Sequence, residues 1–342
     1  MSFVPSNPPQ ADIINDLAVQ AKTLHEYGSY TAHDFQHVAN AYLTLARQLN
    51  VEDHGLLGPI TNANIVRLIH HPKHGYGVLK VSIIPTYHEG PLLSLYTQKN
   101  LPVPTVHDHG TVTQPPLEHT LPWIWTSHIE GTEPDQPIDA TWITRGTALA
   151  HDLRLPINDT SLLPELTSLP HMHKELLTRI NRYESDIKRM LHNYQHATGH
   201  NPFPAWGAIH HNLAVNPMYI TRTHILHGDL HSRNTLYHHA TDTLYAIAPT
   251  GKLGTPEHEL ATWIAIAAAQ TLTQPTSAIQ TALHTDTTLV GRELTKLTLA
   301  HMVLLAESEH RNNFLNHDPN DVLRIALTTP HHQPLHINRR KH

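Results

Sequence analysis

Cysteine is absent from this sequence of 342 residues, and charged residues make up only 15% of it. Without cysteine the chain has no disulfides, no thiolate metal sites and no cysteine nucleophile. An average domain is about 25% charged, and histidine, threonine and proline take the missing share here. The first residues lack the basic region and apolar core of a signal peptide, and no run of 18 apolar residues is present. These absences predict a cytoplasmic protein without a membrane partner.

Histidine is abundant, with 34 residues. The formal net charge is −6 when histidine is counted as neutral. With a reference pKa near 6.5, about a quarter of the histidines, roughly 8, are protonated at pH 7, which moves the net charge to about +2. The sign of the charge at neutral pH is therefore undetermined. Net charge gives no reason to expect a nucleic-acid partner, and we predict none.

Some histidines have the spacing of metal ligands. They are His107 and His109, His171 and His173, and the series His192, His196 and His200. At one histidine in ten, a random order contains roughly three adjacent pairs and three His-x-His pairs. The chain has four adjacent pairs and two His-x-His pairs, so compositional bias explains the pattern. Gly199 is expected to end the helix before the third member of the series. A histidine-based metal site remains an alternative hypothesis.

The length predicts two compact units. The first fifty residues have helical periodicity, and short β-rich runs at 65–69, 77–82 and 122–126 follow, the first two as a hairpin. A helix over 87–100 requires Pro91 in its first turn. Residues 139–198 and 257–311 are mainly helical, and a β pair at 236–237 and 244–247 lies between them.

This order predicts an α+β fold with two lobes. The expected domains are a helical extension over 1–50, a small β-rich lobe over 51–130, a larger and mainly helical lobe over 131–315, and a loosely ordered tail over 316–342.

The segment His-Gly-Asp-Leu-His-Ser-Arg-Asn at 227–234 carries the strongest chemical signal. Asp229 lies in a polar loop after an apolar run, and Asn234 follows five residues later. A carboxylate there can accept a proton from an attacking hydroxyl, and the amide oxygen can ligate Mg²⁺. Phosphoryl transfer needs a group that positions the hydroxyl, a group that binds the metal and groups that neutralise phosphate charge, and it needs little covalent chemistry from the protein. Taken alone, Asp229 could instead cap a turn.

This segment resembles the catalytic loop of the aminoglycoside phosphotransferase family, which has a protein-kinase-like fold, and the resemblance spans about residues 40–310. Residues 246–261 resemble the metal-binding segment of the family, most closely in the branch of streptomycin 6-kinase and hydroxyurea kinase. The resemblance implies that Asp229 is the catalytic residue and Asn234 a metal ligand. His227 then supports the loop, and His231 and Arg233 face the acceptor or the phosphates.

The resemblance extends to the first lobe. Residues 78–82 resemble the strand whose lysine contacts nucleotide phosphates, which makes Lys80 that lysine, and Glu89 is placed like the glutamate that orients it. Considered alone, Lys80 would also suit an edge strand. The family binds ATP and Mg²⁺ between the lobes, with adenine at a hinge that would correspond to 125–131. The implied acceptor is an aminoglycoside-like antibiotic or a sugar, in a pocket near 139–215 and 257–311.

Two positions depart from the family pattern. Ala248 stands where the family has an aspartate, fourteen residues after Asn234. Alanine cannot ligate Mg²⁺, and loss of such a ligand removes several kcal/mol of transition-state stabilisation. The segment 58–64, which would cover the nucleotide, has a single glycine.

Two functions therefore remain. One is an ATP-dependent phosphotransferase acting on a small-molecule hydroxyl, and the other is a degenerate kinase that binds nucleotide and transfers little phosphate. A carboxylate such as Glu257 could replace the missing ligand, although Glu257 and Glu259 also suit the start of a helix through its dipole.

Overall fold

The computed structural model describes residues 32–57, 64–82, 88–113, 120–135, 138–158, 166, 169–215, 224–312 and 317–329. The chain divides between Glu130 and Gly131 into two compact units. Among the described residues, no helix has the length and apolar character needed to span a membrane.

The first unit is built on a five-stranded antiparallel sheet in the order β1-β2-β3-β5-β4. Its strands are β1 (Glu52–Leu56), β2 (Asn64–His71), β3 (Gly75–Ser82), β4 (Val106–Thr113) and β5 (Thr120–Ser127). The predicted β2–β3 hairpin and the predicted β5 are confirmed. Because β3 lies between β2 and β5, Lys80 is on the central strand, and the edge-strand alternative is wrong.

In the described part of this unit, two helices accompany the sheet, α1 (Ala32–Gln48) and α2 (Glu89–Gln98). The apolar side of α1, with Val38, Tyr42 and Leu45, packs against sheet residues such as Ile65 and Leu79. Helix α1 therefore shares the core of this unit and is not a separate extension. Helix α2 is confirmed, with Pro91 in its first turn, where a missing N–H costs no helical hydrogen bond.

A buried polar cluster joins α1 to the sheet. Arg67 is 1% exposed, and its Nε lies 2.6 Å from Oδ2 of Asp53. The Tyr42 hydroxyl donates to the same carboxylate oxygen, and burial and the Asp53 charge raise the pKa of Tyr42 well above its usual value. The Asp53 carboxylate thus pairs with both side chains inside the unit.

The second unit is mainly helical, as predicted. Its helices are α3 (Ala140–Leu153), α4 (Met172–Arg182), α5 (Glu184–Thr198), α6 (Phe203–Val215), α7 (Pro256–Thr271), α8 (Thr276–Thr285), α9 (Gly291–Asn312) and α10 (Pro319–Thr328). Its short strands are β6 (Leu155–Pro156), β7 (His224–Leu226), β8 (Thr235–His238), β9 (Thr243–Ala246) and β10 (Lys252–Gly254). The predicted β8–β9 pair is confirmed, and it frames the polar loop that follows β7.

Helix α10 corrects the prediction of a loosely ordered tail. The Asp318 side chain accepts a hydrogen bond from the Asn320 N–H at 2.8 Å, and Pro319 occupies the first helical turn. Val322 and Leu323 are buried. The prediction rested on the many Pro, His and Asn residues in the last thirty positions. Within them, Asp318 followed by Pro319 is an N-terminal helix signal, and the apolar residues after it are buried. Residues 330–342 lie outside the described residues.

Candidate active site

Lys80 and Glu89 form an ion pair inside the first unit. Lys80 projects from central strand β3, and Glu89 begins α2. The Lys80 Nζ lies 2.7 Å from Oε2 of Glu89, and the two side chains are 9% and 6% exposed. A buried ammonium needs such a partner, and the pairing fixes the lysine in place. The structure therefore brings together the two residues predicted to serve the nucleotide phosphates.

The structure says less about the predicted nucleotide-covering segment and about the predicted hinge. A cavity of about 30 Å³ beside Lys80 has room for about one water molecule. Most of the segment 58–64, predicted to cover the nucleotide, lies outside the described residues. The predicted hinge 125–131 contains the boundary between the units, and its role toward adenine stays a prediction.

In the second unit, β7 leads into the loop predicted to be catalytic. Gly228 has φ +86°, and a Cβ there would come within 2.4 Å of the Lys252 side chain, so the position requires glycine. The buried His227 donates from Nε2 to the Ile247 carbonyl at 2.9 Å. The His227 carbonyl accepts from the N–H groups of Thr250 and Gly251. His227 thus fastens the loop to the segment after β9.

Asn234 orients Asp229. The Asn234 Nδ2 lies 2.9 Å from Oδ2 of Asp229 and 2.8 Å from its carbonyl oxygen. His231 Nε2 lies 3.7 Å from the other carboxylate oxygen, Oδ1. The backbone N–H of Arg233 donates to Nδ1 of His231, which caps the 3₁₀ turn Ser232–Asn234. The Arg233 side chain itself is exposed.

These contacts set the charge of Asp229. Burial raises the pKa of Asp229, but hydrogen bonds and charge from His231, with help from His227 and Asn234, outweigh it and lower the pKa overall. The carboxylate is therefore ionised at neutral pH. Its side chain is still 44% exposed, so it can accept a hydrogen bond from an incoming hydroxyl. A low pKa makes a weak base, which suits orientation of that hydroxyl first and removal of its proton only as the new oxygen–phosphorus bond makes the hydroxyl acidic.

Glu259, in the first turn of α7, is hydrogen-bonded to the backbone of the loop 227–234. Its carboxylate accepts from the Gly228 N–H at 3.2 and 3.0 Å and from the Leu230 N–H at 3.0 Å. Burial raises the pKa of Glu259 to about 7, against the opposing effect of these hydrogen bonds. The sequence predicts Glu259 at a helix start, with a substitute metal ligand as the alternative. The sequence has no signal for a contact that spans some thirty residues.

The donor set for Mg²⁺ is incomplete. Asn234 turns its amide nitrogen toward Asp229, which leaves the amide oxygen for a cation. Ala248 follows at the expected second ligand position and adds no donor. Glu257 does not replace it, because its Oε1 accepts the Val290 N–H at 2.8 Å and the residue is buried. No group of three acidic or histidine side chains among the described residues could hold a metal ion. The residues present therefore do not form the Mg²⁺ site of the family.

The same result bears on the histidine hypothesis. The described parts of His107–His109, His171–His173 and the α5 series form no three-ligand cluster. Helix α5 ends at Thr198, and Gly199 follows with φ +72°, as predicted. Compositional bias remains the explanation of the histidine spacing.

A cavity of about 260 Å³ lies beside Asp229 in the second unit. It is lined by residues from α4, from the loop 228–229, from the segment 250–252, and from α7 and α9. Its lining includes residues from both regions predicted for the acceptor pocket, 139–215 and 257–311, together with residues 228–229 and 250–252 outside them. That this cavity takes the acceptor stays a prediction.

No family model and no curated protein matches this sequence. Solved structures do match its fold. The aminoglycoside phosphotransferase APH(4)-Ia is 13% identical, with a TM-score of 0.53 over 84% of this chain and 97% of its own. A ternary complex of a thermostable APH(4)-Ia mutant with ADP and hygromycin B is 11% identical, with a TM-score of 0.52 over 83% and 97%.

The GDP complex of aminoglycoside 2'-phosphotransferase-IIIa gives a TM-score of 0.54 at 13% identity, over 83% of this chain and 97% of its own. The structural similarity to these proteins establishes the fold, but sequence identities this low leave the activity of this chain open. The chain therefore has the two-lobed protein-kinase-like α+β fold that its sequence predicted.

Proposed function

We propose that this protein transfers the γ-phosphoryl group of ATP to a hydroxyl of a small molecule, as a member of the aminoglycoside phosphotransferase family. The observation that carries this proposal is the loop at 227–234. There Asn234 orients an ionised and accessible Asp229, and Glu259 holds the backbone on both sides of it. Two solved structures of this fold contain ADP with hygromycin B, or GDP. The narrower assignment to the streptomycin 6-kinase branch rests on the pattern at 246–261.

Each residue has a defined task in this reaction. Asp229 accepts a hydrogen bond from the acceptor hydroxyl and takes its proton as the oxygen–phosphorus bond forms. The bond between the γ-phosphorus and the bridging oxygen breaks, and ADP leaves with that electron pair. Lys80, fixed by Glu89, contacts the phosphates and offsets their charge. Such positioning and charge stabilisation make up most of the catalysis of phosphoryl transfer.

A second candidate is a nucleotide-binding protein that transfers little or no phosphate. The observation that favours it is the position of Glu257. This carboxylate binds the Val290 backbone and so does not compensate for Ala248. Lost stabilisation of phosphate charge by a metal lowers the rate by orders of magnitude.

The test compares the unaltered full chain with Ala248→Asp and Asp229→Asn. ATP binding is measured by thermal shift with and without Mg²⁺, and transfer of labelled γ-phosphate is measured over a panel of hydroxylated acceptors. Under the first proposal the unaltered chain transfers phosphate, and Asp229→Asn loses transfer but keeps ATP binding.

Other outcomes decide against it. If only Ala248→Asp shows Mg²⁺-dependent transfer, the second candidate is correct. If the unaltered chain binds no nucleotide, both candidates are wrong.

A further inference from the structure

The charged side chains that line the cavity beside Asp229 indicate which kind of acceptor it binds. The lining residues come from one unit of the fold and carry acidic, basic and neutral polar groups. They are Met172, Glu175, Leu176, Arg179, Gly228, Asp229, Thr250, Lys252, His258, Thr262 and His301.

One acidic and one basic residue of the lining neutralise each other. The Lys252 Nζ lies 2.7 Å from Oε2 of Glu175. The Lys252 side chain is 16% exposed and packs against Gly228, next to Asp229. The charge of Glu175, whose side chain is 47% exposed, is therefore compensated by Lys252, so this carboxylate adds no net negative charge for a positively charged ligand.

Arg179 lies one helical turn after Glu175 on α4, and its guanidinium has no acidic partner among the described residues. Of the lining histidines, His301 has a buried Nε2 with no hydrogen-bond partner in the part of the chain that the structure describes. Burial, and then the charge of Arg179, lower the pKa of His301 to about 3. His301 is therefore neutral, as is the fully buried His258. Apart from Asp229, the described lining has a net charge of one positive unit, located at Arg179.

We propose that this cavity binds a hydroxylated acceptor that carries an anionic group, a carboxylate or a phosphate, with that group at Arg179 and the reacting hydroxyl at Asp229. This inference rests on the proposed function and narrows it. It also departs from the aminoglycoside expected from the family resemblance.

An anionic acceptor is favoured because the described lining of the cavity offers a cationic side chain for an anion and, apart from Asp229, no uncompensated carboxylate for an ammonium group. An aminoglycoside brings several ammonium groups, and each needs a carboxylate or carbonyl when it leaves water. Glu175 is paired with Lys252, and Asp229 is needed by the hydroxyl. A carboxylate or phosphate instead finds the planar guanidinium of Arg179, which binds such groups in a bidentate manner. Met172 and Leu176 then contact the carbon skeleton.

The experiment uses three acceptors of one size that differ in the charge of one end: gluconate, glucitol and 1-amino-1-deoxyglucitol. Their binding to the full chain is measured by calorimetry, and their phosphorylation is measured with labelled ATP. We expect gluconate to bind most tightly. Arg179→Gln should weaken gluconate roughly ten- to hundredfold, the range for a lost hydrogen bond to a charged group, and leave glucitol unchanged.

Arg182→Gln is the matched control, because Arg182 is an exposed residue at the end of the same helix and does not line the cavity. The proposal is overturned if the amine binds as tightly as gluconate, if none of the three binds, or if Arg179→Gln and Arg182→Gln behave alike. If gluconate binding depends on Arg179 and no acceptor is phosphorylated, the anion site stands and the proposed function fails.

Discussion

Both oxygens of the Glu259 carboxylate accept a hydrogen bond from the Gly228 N–H, at 3.2 and 3.0 Å. One of those oxygens also accepts the Leu230 N–H at 3.0 Å. The two N–H groups flank Asp229, so one buried carboxylate fixes the backbone on both sides of the proposed catalytic residue. Glu259 is thus a buried positioning residue, which acts on Asp229 through the backbone.

Replacing Glu259 with glutamine puts an amide NH₂ against a backbone N–H. We expect kcat to fall by about ten- to a hundredfold, because small misplacements of a reacting group are costly. The KM for ATP should stay unchanged. The measurement is steady-state kinetics on an acceptor that the panel shows to be phosphorylated, and the exposed Glu133→Gln is the control. An equal change in kcat for both variants would contradict the positioning role.

Glu259 also gives a test that needs no acceptor. Its folded-state pKa of about 7 lies above the ordinary 4.5, so the folded chain binds more protons than the unfolded chain between these values. Its contribution to stability is therefore fully present below pH 4.5 and is lost as the pH rises through about 7. The free energy of unfolding of the unaltered chain should fall relative to that of Glu259→Gln over this range. Urea titrations at several pH values measure it, and a constant difference would contradict it.

The proposed catalytic loop could be located from sequence because its residues are close together along the chain. Asp229 and Asn234 are five residues apart, and the turn between them brings them within hydrogen-bond distance. Lys80 and Glu89 also lie near each other in sequence, on a strand and the helix after it. In each case local structure determines the contact, so chain order and spacing were sufficient.

Contacts between distant segments were not predictable in this way. Glu259 contacts Gly228 across 31 positions of the sequence. Arg179 and His301 line the same cavity because the fold places α4 and α9 beside it. Strand β4 was missed because its sequence, VHDHGTVT, has little apolar alternation. It is held by pairing with β5, a property of its neighbour that β4 itself does not encode.

Ala248 has φ +55°, in the left-handed region that costs an alanine about 1–2 kcal/mol. Ala248→Gly should therefore raise the free energy of unfolding by about 0.5–1 kcal/mol after the entropy of glycine in the unfolded chain is subtracted. Ala197→Gly, on the exposed side of α5, is the same change with the opposite expected sign, a loss of about 1 kcal/mol. Thermal or urea unfolding measures both. Two losses would show that the backbone at 248 is unstrained.

The Lys80–Glu89 pair should be strongly coupled because both side chains are buried. Lys80→Met leaves an unpaired carboxylate in the core and is expected to cost about 3–5 kcal/mol. The double variant Lys80→Met with Glu89→Leu should cost much less than the sum of the single variants. Lys188 and Glu184 on α5 are the control, since their atoms are 2.6 Å apart while the side chains are 57% and 50% exposed. An exposed pair contributes about 0.2–1 kcal/mol, and equal coupling in the two pairs would contradict the role of burial.

A chain of buried hydrogen bonds links two histidines of the second unit, which burial keeps in their neutral form. His173 Nε2 lies 2.8 Å from the Leu213 carbonyl and must donate to it, so Nδ1 of His173 is an acceptor. His258 Nε2 therefore donates to that Nδ1 at 3.4 Å, and its own Nδ1 accepts from Thr255 Oγ1 at 3.1 Å. Burial, with the neighbouring His173, lowers the pKa of His258 well below 6.5. Burial likewise lowers the pKa of His173.

These histidines make the protein sensitive to acid. A depressed folded-state pKa means that the unfolded chain binds the proton first, so stability is complete above pH 6.5 and falls as the pH drops below it. Each such histidine contributes about 1.4 kcal/mol of loss per pH unit, opposite in sign to the effect of Glu259. His258→Gln should therefore flatten the fall in unfolding free energy between about pH 7 and pH 5, whatever it does to stability at pH 7. The exposed His196→Gln should leave that slope unchanged. Identical slopes for both variants would show that His258 is protonated in the folded protein, and the hydrogen-bond chain through His173 would then have to be abandoned.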